Sequence, residues 1–472
     1  MPNTDLDIAV KSQAGNGKPK ICKLVTIFSL ALFSLAYDQN SIAQPKLEIN
    51  LVRPSWTFDV TSAPLEKREA KLDPSESGLA TTLRPLLDSG DYQGVTRVIA
   101  EQTTQGQSFS PALNHILGQV YMTLEDFDRA ELAFVAAVAD MPDFARAHQL
   151  LGLIYLQKKE YENARKHLSR AITLGISDAQ TFGQLAFVNL ENHSPWSAIS
   201  GYQQALLLDP GNRQWQQGLL YALINAKNFS AAQALVDEML EVDPENRTLW
   251  LQSSNIALTR EDSISALTRL EIALLLGPSD PANEAVAASL HLQHGSTARA
   301  VELLLGDMAG DGNYFNLFEE TAGWLVYRKQ WDLAERLLTD GLDTWADLSA
   351  GQESRLIAHL GAISLARGQD GVAAKFLLEA IEGDPVNGQA LLSLAELQGR
   401  RGKYIQASLF FTRAAALEGF TERALLSHAQ LAIDQQDYDQ ALLLLRKAYR
   451  RNPAREDLNQ NIKTLERIAL ND

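Results

Sequence analysis

Two histidines, His291 and His294, stand three residues apart. On a helix that spacing puts both imidazoles on one face, where they could share a metal ion with a third ligand. No carboxylate is placed to complete the set. Asp307, Asp311 and Asn313 gather oxygen ligands of the kind calcium takes, but the EF-hand spacing is not met. No GxxxxGK[ST] phosphate loop, no Gly-x-Ser-x-Gly elbow and no HExxH pair occurs. Carboxylates are abundant without a marked acid–base pair. The single cysteine, Cys22, excludes a disulfide framework and a cysteine zinc site. The expectation is a protein that is not an enzyme and holds no metal and no cofactor.

The elements that would position any site must come from 472 residues, 46% hydrophobic and 21% charged. Such a chain buries a core. Lys and Arg number 42 against 58 for Asp and Glu, a net charge of −16. That balance argues against a nucleic-acid partner held through its phosphates.

Residues 1–23 carry Lys11, Lys18, Lys20 and Lys23, and an apolar run from Leu24 to Tyr37 follows. Small residues at Ser41 and Ala43 complete the pattern of a secretory signal, cleaved after Ala43. As a helix, that run would span only about 21 Å, short of a hydrocarbon core of about 30 Å. The expectation is a signal peptide over 1–43, a periplasmic mature chain and no membrane span after cleavage. The alternative is an uncleaved segment anchoring the chain to the inner membrane. Residues 44–75, with Pro45, Pro54, Pro64 and Pro74, read as an extended linker.

From there the chain repeats. The 34 residues Pro111 to Phe144 contain Leu117-Gly118, Tyr121, Phe127, Ala130, Phe134, Ala137 and Pro142. Steps of 34 return Leu151-Gly152, Tyr155, Tyr161, Ala164 and Ala171, then Leu185-Ala186, Ala198, Tyr202, Ala205 and Pro210. An alanine holds the twentieth position in ten units: Ala130, Ala164, Ala198, Ala232, Ala266, Ala300, Ala334, Ala373, Ala407 and Ala441. The pattern resembles the tetratricopeptide repeat (TPR), with Asn114 where that family prefers Trp. The resemblance implies an all-α fold, a right-handed superhelical solenoid of helix-turn-helix units. Small residues such as Gly118 and Ala130 would let two helices approach closely, and Leu117, Tyr121 and Phe134 would fill the gaps. Stacking is obligatory, because one unit cannot bury its apolar face alone.

The array is uneven. A degenerate unit is expected around Thr82 to Glu101. Asp307 and Gly341 replace alanines, residues 305–313 are glycine-rich, and five residues are inserted at 349–353. The expected organisation is one sub-array over 76–348 with its last two units divergent, the insertion, and a second sub-array over 354–455. Gly306 to Glu353 is read either as a weak joint between the sub-arrays or as a lapse of the repeat sequence with no hinge. Over 456–472, Leu458, Ile462, Leu465 and Ile468 line one face of a capping helix, and the rest of the segment is its tail.

In the TPR family, positions 2, 5, 6, 9 and 12 of each first helix face the ligand. Carried over to three units, the resemblance implies partner-binding residues Gln149, Leu153 and Leu156, then Gln184, Phe187 and Leu190, then Gln217, Tyr221 and Ile224, with Arg146 at one end. Apart from Arg146 this stretch lacks the Lys, Arg and Asn of TPR domains that clamp a terminal carboxylate. Amides can satisfy an extended backbone, and apolar groups can bury side chains, unless Leu153, Leu156 and Phe187 simply pack between units. The chain resembles exported bacterial TPR proteins that accompany envelope machines. The expected function is a periplasmic scaffold or adaptor binding envelope proteins, accessory to a transport or export complex. The alternative is a carbohydrate-binding or polymer-handling accessory that stacks sugars on Phe187 and Tyr221.

Overall fold

The computed structural model describes residues 70–103, 108–278, 280–306, 308, 310–345 and 347–469. The expected signal peptide, the linker up to residue 69, Asp307 and residues 470–472 lie outside them. No strand occurs among the described residues, and the fold is all-α. The chain forms two compact units that meet in sequence at Arg269 and Leu270.

The first unit opens with α1 (Ser77–Ser89) and α2 (Tyr92–Thr103), the degenerate repeat. Four regular pairs follow: α3 (Pro111–Thr123) with α4 (Phe127–Asp140), α5 (Ala145–Gln157) with α6 (Tyr161–Thr173), α7 (Ala179–Glu191) with α8 (Pro195–Leu208), and α9 (Arg213–Asn225) with α10 (Phe229–Val242). Next is α11 (Arg247–Thr259), then α12 (Ser263–Leu275), within which the division between the units falls. The second unit continues with α13 (Pro281–Gln293), α14 (Thr297–Leu304), α15 (Phe315–Tyr327), α16 (Trp331–Thr344), α17 (Ala350–Ala366) and α18 (Asp370–Gly383). It ends with α19 (Gly388–Arg400), α20 (Tyr404–Ala415), α21 (Thr421–Asp434), α22 (Tyr438–Arg451) and the cap α23 (Glu456–Ala469).

Local chemistry starts these helices. Ser110, Asp126, Asp178 and Asn246 each accept a hydrogen bond from a backbone N–H of the first turn they precede. The turn inside each pair then has one recurring form. In the second regular pair, Lys159 takes the left-handed conformation at φ 59° and Glu160 N–H reaches back to Tyr155 O at 2.8 Å. This is the Schellman closure, which satisfies carbonyls that the helix end would leave bare.

The ten alanines of the twentieth position are all fully buried, at 0% exposure. They sit where a larger side chain would hold two helices apart. Gly118 shows how close the approach is, since a Cβ there would fall 2.5 Å from the Phe134 ring. The divergent Gly341 does the same for Phe318, at 2.2 Å, so this departure from alanine makes room for a ring. In α23, Leu458, Ile462 and Leu465 are buried against α22 and close the core.

Two expectations about boundaries change, and the insertion takes a definite form. The linker does not run to residue 75: Ala70 and Leu72 pack on the core, and Asp73 with Glu76 makes a capping box. The Glu76 carboxylate, 2% exposed, accepts from Ser110 N–H at 2.6 Å and from the Ser110 hydroxyl at 2.5 Å. Burial of an apolar side chain and a satisfied anion fix this segment. The insertion at 349–353, given no secondary structure from the sequence, is helical from Ala350. Ser349 and Gln352 cap each other, and the added residues lengthen α17 by a turn. The division into units falls at residues 269 and 270, ahead of the expected joint. Just before that expected joint α14 is short, and within the joint Met308 and Trp345 are buried.

Candidate partner-binding face

Side chains of successive first helices meet across each unit and make a face. In the first unit, Gln149 on α5 donates from Nε2 to the Thr181 hydroxyl at 2.7 Å and to Asp178 Oδ2 at 3.1 Å, both at the start of α7. Asp178 also caps α7 through Thr181 N–H at 2.8 Å. Gly183 on α7 lets the Trp215 ring of α9 come within 2.4 Å of a would-be Cβ.

The expected binding residues divide here into accessible and buried. Gln217 is exposed, and Gln149, Leu153, Phe187, Tyr221 and Ile224 are half-buried. Leu156 and Leu190 are buried at 4% and 6%, and Gln184 at 2%, so these three are not on the surface. Leu156 and Leu190 fill the space between neighbouring repeats, because the apolar gap at the end of each first helix is closed by its own last turn. Gln184 lies under the rim, its Oε1 without a hydrogen-bond donor. Phe187 meets Tyr161 edge-on, centroids 6.4 Å apart, and Tyr221 packs on the apolar core. Both aromatics are thus engaged within the chain.

The same positions in the second unit carry charge, which a reading confined to residues 146–224 passes over. Glu319 on α15 pairs with Arg355 on α17 at 2.9 Å, and the Arg355 guanidinium lies over the Phe315 ring, 5.0 Å from its centroid. His359, one turn further along α17, fits beside Gly323 of α15, its Cε1 3.2 Å from where a Cβ would stand. Arg423 on α21 donates to Gln389 Oε1 on α19 at 3.1 Å, and Gln389 Nε2 donates to Ser393 Oγ at 3.1 Å. Glu396 completes the row on α19.

Electrostatics single this row out. Burial raises the Glu319 carboxyl pKa, opposed by Arg355. Lost hydration raises Glu320 although the residue is exposed overall, and it raises the half-buried Glu396 despite Arg423 and Arg400 nearby. Burial, and then Arg355, pushes His359 down to about 4. Several perturbed titratable groups on one face mark a candidate site. The signal was present in the sequence as Glu319, Arg355, His359, Glu396 and Arg423 recurring at the ligand-facing positions.

The other histidine expectation separates. His291 Nε2 is 2.7 Å from Glu271 Oε1, and Arg299 grips the same carboxylate. His291 is buried and His294 exposed, so the two do not converge. Asp311 caps the short helix after α14 through Asn313 N–H at 3.0 Å. Among the described residues no group of three or more His, Cys, Asp or Glu side chains could hold a metal ion. None of the described helices is long and apolar enough to cross a membrane.

Residues 117–179 match the sequence model of the tetratricopeptide repeat family. No curated protein matches the chain. Among solved structures, it is similar to YrrB, described as a TPR protein with an unusual peptide-binding site, at 19% identity over 38% of this chain and 90% of that one, TM-score 0.34. It is similar to MamA at 17% identity over 35% and 91%, TM-score 0.33. A tetratricopeptide repeat protein from Parabacteroides merdae shares 11% identity over 57% and 100%, TM-score 0.33.

Proposed function

Because the chain is a tetratricopeptide repeat protein, we propose that it is a non-catalytic scaffold that holds a segment of another protein along the first-helix faces of its repeats. The observation that carries this reading is the concentration of polar and titratable side chains on those faces. A solenoid needs only apolar side chains between its helices, and the polar groups here lie where a strand of a partner would pass. Gln217 is exposed there for an extended backbone, and Gln149, Gln389 and Arg355 hold polar groups in place along the same faces.

The partners we propose are proteins of the cell envelope, met in the periplasm after export, with the scaffold accessory to a transport or export complex. The support is the basic segment, apolar run and small residues before Gln44. The test is crosslinking in intact cells, followed by purification of the tagged full chain from a periplasmic fraction. A stoichiometric protein partner is expected. Recovery of the chain alone, or with intact residues 1–43 in the inner membrane, would contradict the proposal.

A further inference from the structure

We propose that the second unit pairs with a second copy of this chain through its second helices, α20 against α20 across a twofold axis and α18 of each copy against α22 of the other. The pairing leaves the first-helix faces open to the partner segment proposed above.

Apolar side chains that the second helices leave bare supply the contact. Ile405 and Leu409, one turn apart on α20, are 89% and 59% exposed. Val372 and Leu378 on α18 and Leu443 on α22 are close to half exposed. Leu409 and Leu443, 34 residues apart, hold the same repeat position on successive second helices. α19 packs on both α18 and α20, and α21 on both α20 and α22, which sets the three second helices in a row. These five side chains bare about 500 Å² of apolar surface, the upper end for a monomer, and with the polar groups around them approach the ~800 Å² per partner of a standard interface.

The charges favour a copy of the same chain over a different partner. From Asp370 to Arg451, ten Lys and Arg stand against ten Asp and Glu, whereas the whole chain carries −16. Two copies meet here without the like-charge repulsion that acts between the rest of their surfaces. The free charges are also self-complementary. Glu379 and Glu382 follow Ala373 of α18 by six and nine residues, and Lys447 and Arg450 follow Ala441 of α22 by the same steps. All four are exposed, and among the described residues none has a hydrogen-bond or ion-pair partner. A twofold axis in the interface and parallel to α20 keeps the helix direction and exchanges α18 with α22. It therefore brings Glu379 to Lys447 and Glu382 to Arg450, each twice per dimer. Lys375 of α18 comes opposite Asp439 of α22, one turn offset. Arg413 and Arg446 are engaged within the chain, with Pro385 O and Glu466. Lys403 precedes α20 and Arg451 ends α22, at the rim. Exposed ion pairs contribute little energy, so they set the orientation and the apolar contact holds it.

The test is sedimentation equilibrium of the full chain at pH 7 and low salt. A dimer with a dissociation constant below about 10 µM is expected. Ile405→Glu and Leu409→Glu should each weaken it about tenfold or more, with helicity by circular dichroism unchanged. Trp196→Glu, at an exposed residue of the first unit, should leave it as it is. Glu379→Lys should weaken the dimer about threefold, and Glu379→Lys combined with Lys447→Glu should restore it. A chain that stays monomeric at about 100 µM overturns the proposal, whether or not a different protein is captured at Ile405. A dimer that Ile405→Glu leaves intact, or that Trp196→Glu weakens as strongly, overturns it too. A double variant no tighter than Glu379→Lys alone overturns the pairing of α18 with α22.

Discussion

At the fifteenth position of each of the ten regular units the backbone turns left-handed. Glu125, Lys159, His193, Lys227, Glu261, Lys329 and Gln436 hold φ between 54° and 62°, and Gly295, Gly368 and Gly402 fill the same place at 73° to 79°. An L-residue in that region costs about 1 kcal/mol, which the Schellman hydrogen bonds and helix packing offset. Lys329→Gly should therefore stabilise the chain by up to about 1 kcal/mol, less the entropy glycine gains when unfolded. Gly402→Ala should destabilise it by about 1 kcal/mol. Urea midpoints of the two variants measure both, and a lower midpoint for Lys329→Gly would show that the turn is not strained. Only the glycine turns were legible in the sequence. Lys, Glu and Gln do not announce a left-handed turn, because the pairing of two helices imposes it on them.

At the scale of the element, the alanine at position twenty was the clearest signal, and the structure buries all ten copies completely. Ala130→Leu or Ala164→Leu should overpack a helix crossing and destabilise by about 1–3 kcal/mol. Ala234→Leu, on the exposed side of α10, should change stability by less than about 0.5 kcal/mol. Equal melting shifts at the two kinds of site would contradict the register. Between units the register also places ions: Lys158 grips Asp128 and Glu131 of the preceding pair, at 2.5 and 2.6 Å, and Arg367 grips Asp332 and Glu335 in the same way, both at 2.5 Å. The helix period and the repeat step made the fold legible. They misled where one helical position serves two purposes. Gln184, Leu156 and Leu190 hold ligand-facing register positions, but neighbouring repeats bury them. The linker end was missed because Leu72 and the Asp73–Glu76 box follow a proline-rich run that reads as extended.

For the whole molecule, buried histidines in each of the two units set the proton balance of folding. Burial pushes His115 and His167 of the first unit, and His359 of the second, down to about 4. Lys166 and His148 add to the effect on His167, and Glu131 opposes it. Burial lowers the pKa of both rings, so the pair is neutral at pH 7; with His148 Nε2 donating to Pro142 O at 3.1 Å, its Nδ1 then accepts from His167 Nδ1–H at 2.9 Å. The unfolded chain binds protons near pH 6.5 that the folded chain refuses until about pH 4. Stability from these groups is complete above pH 6.5 and is lost as the pH falls toward 4. Urea midpoints measured from pH 7.5 to 4.5 should decline, and His167→Gln should flatten part of the decline. A native-like slope in that variant would remove His167 from the balance.

The central claim is that the first-helix faces hold a protein partner, and site-specific photocrosslinking in living cells tests it most directly. A benzophenone side chain at Gln389, on the face, is compared with one at Ile405, which is 89% exposed on the second helix of the same repeat. The account predicts one dominant adduct with a different protein from position 389, and from position 405 only an adduct with a second copy of the chain. An adduct with a different protein from position 405 alone would place the partner on the second helices and contradict it.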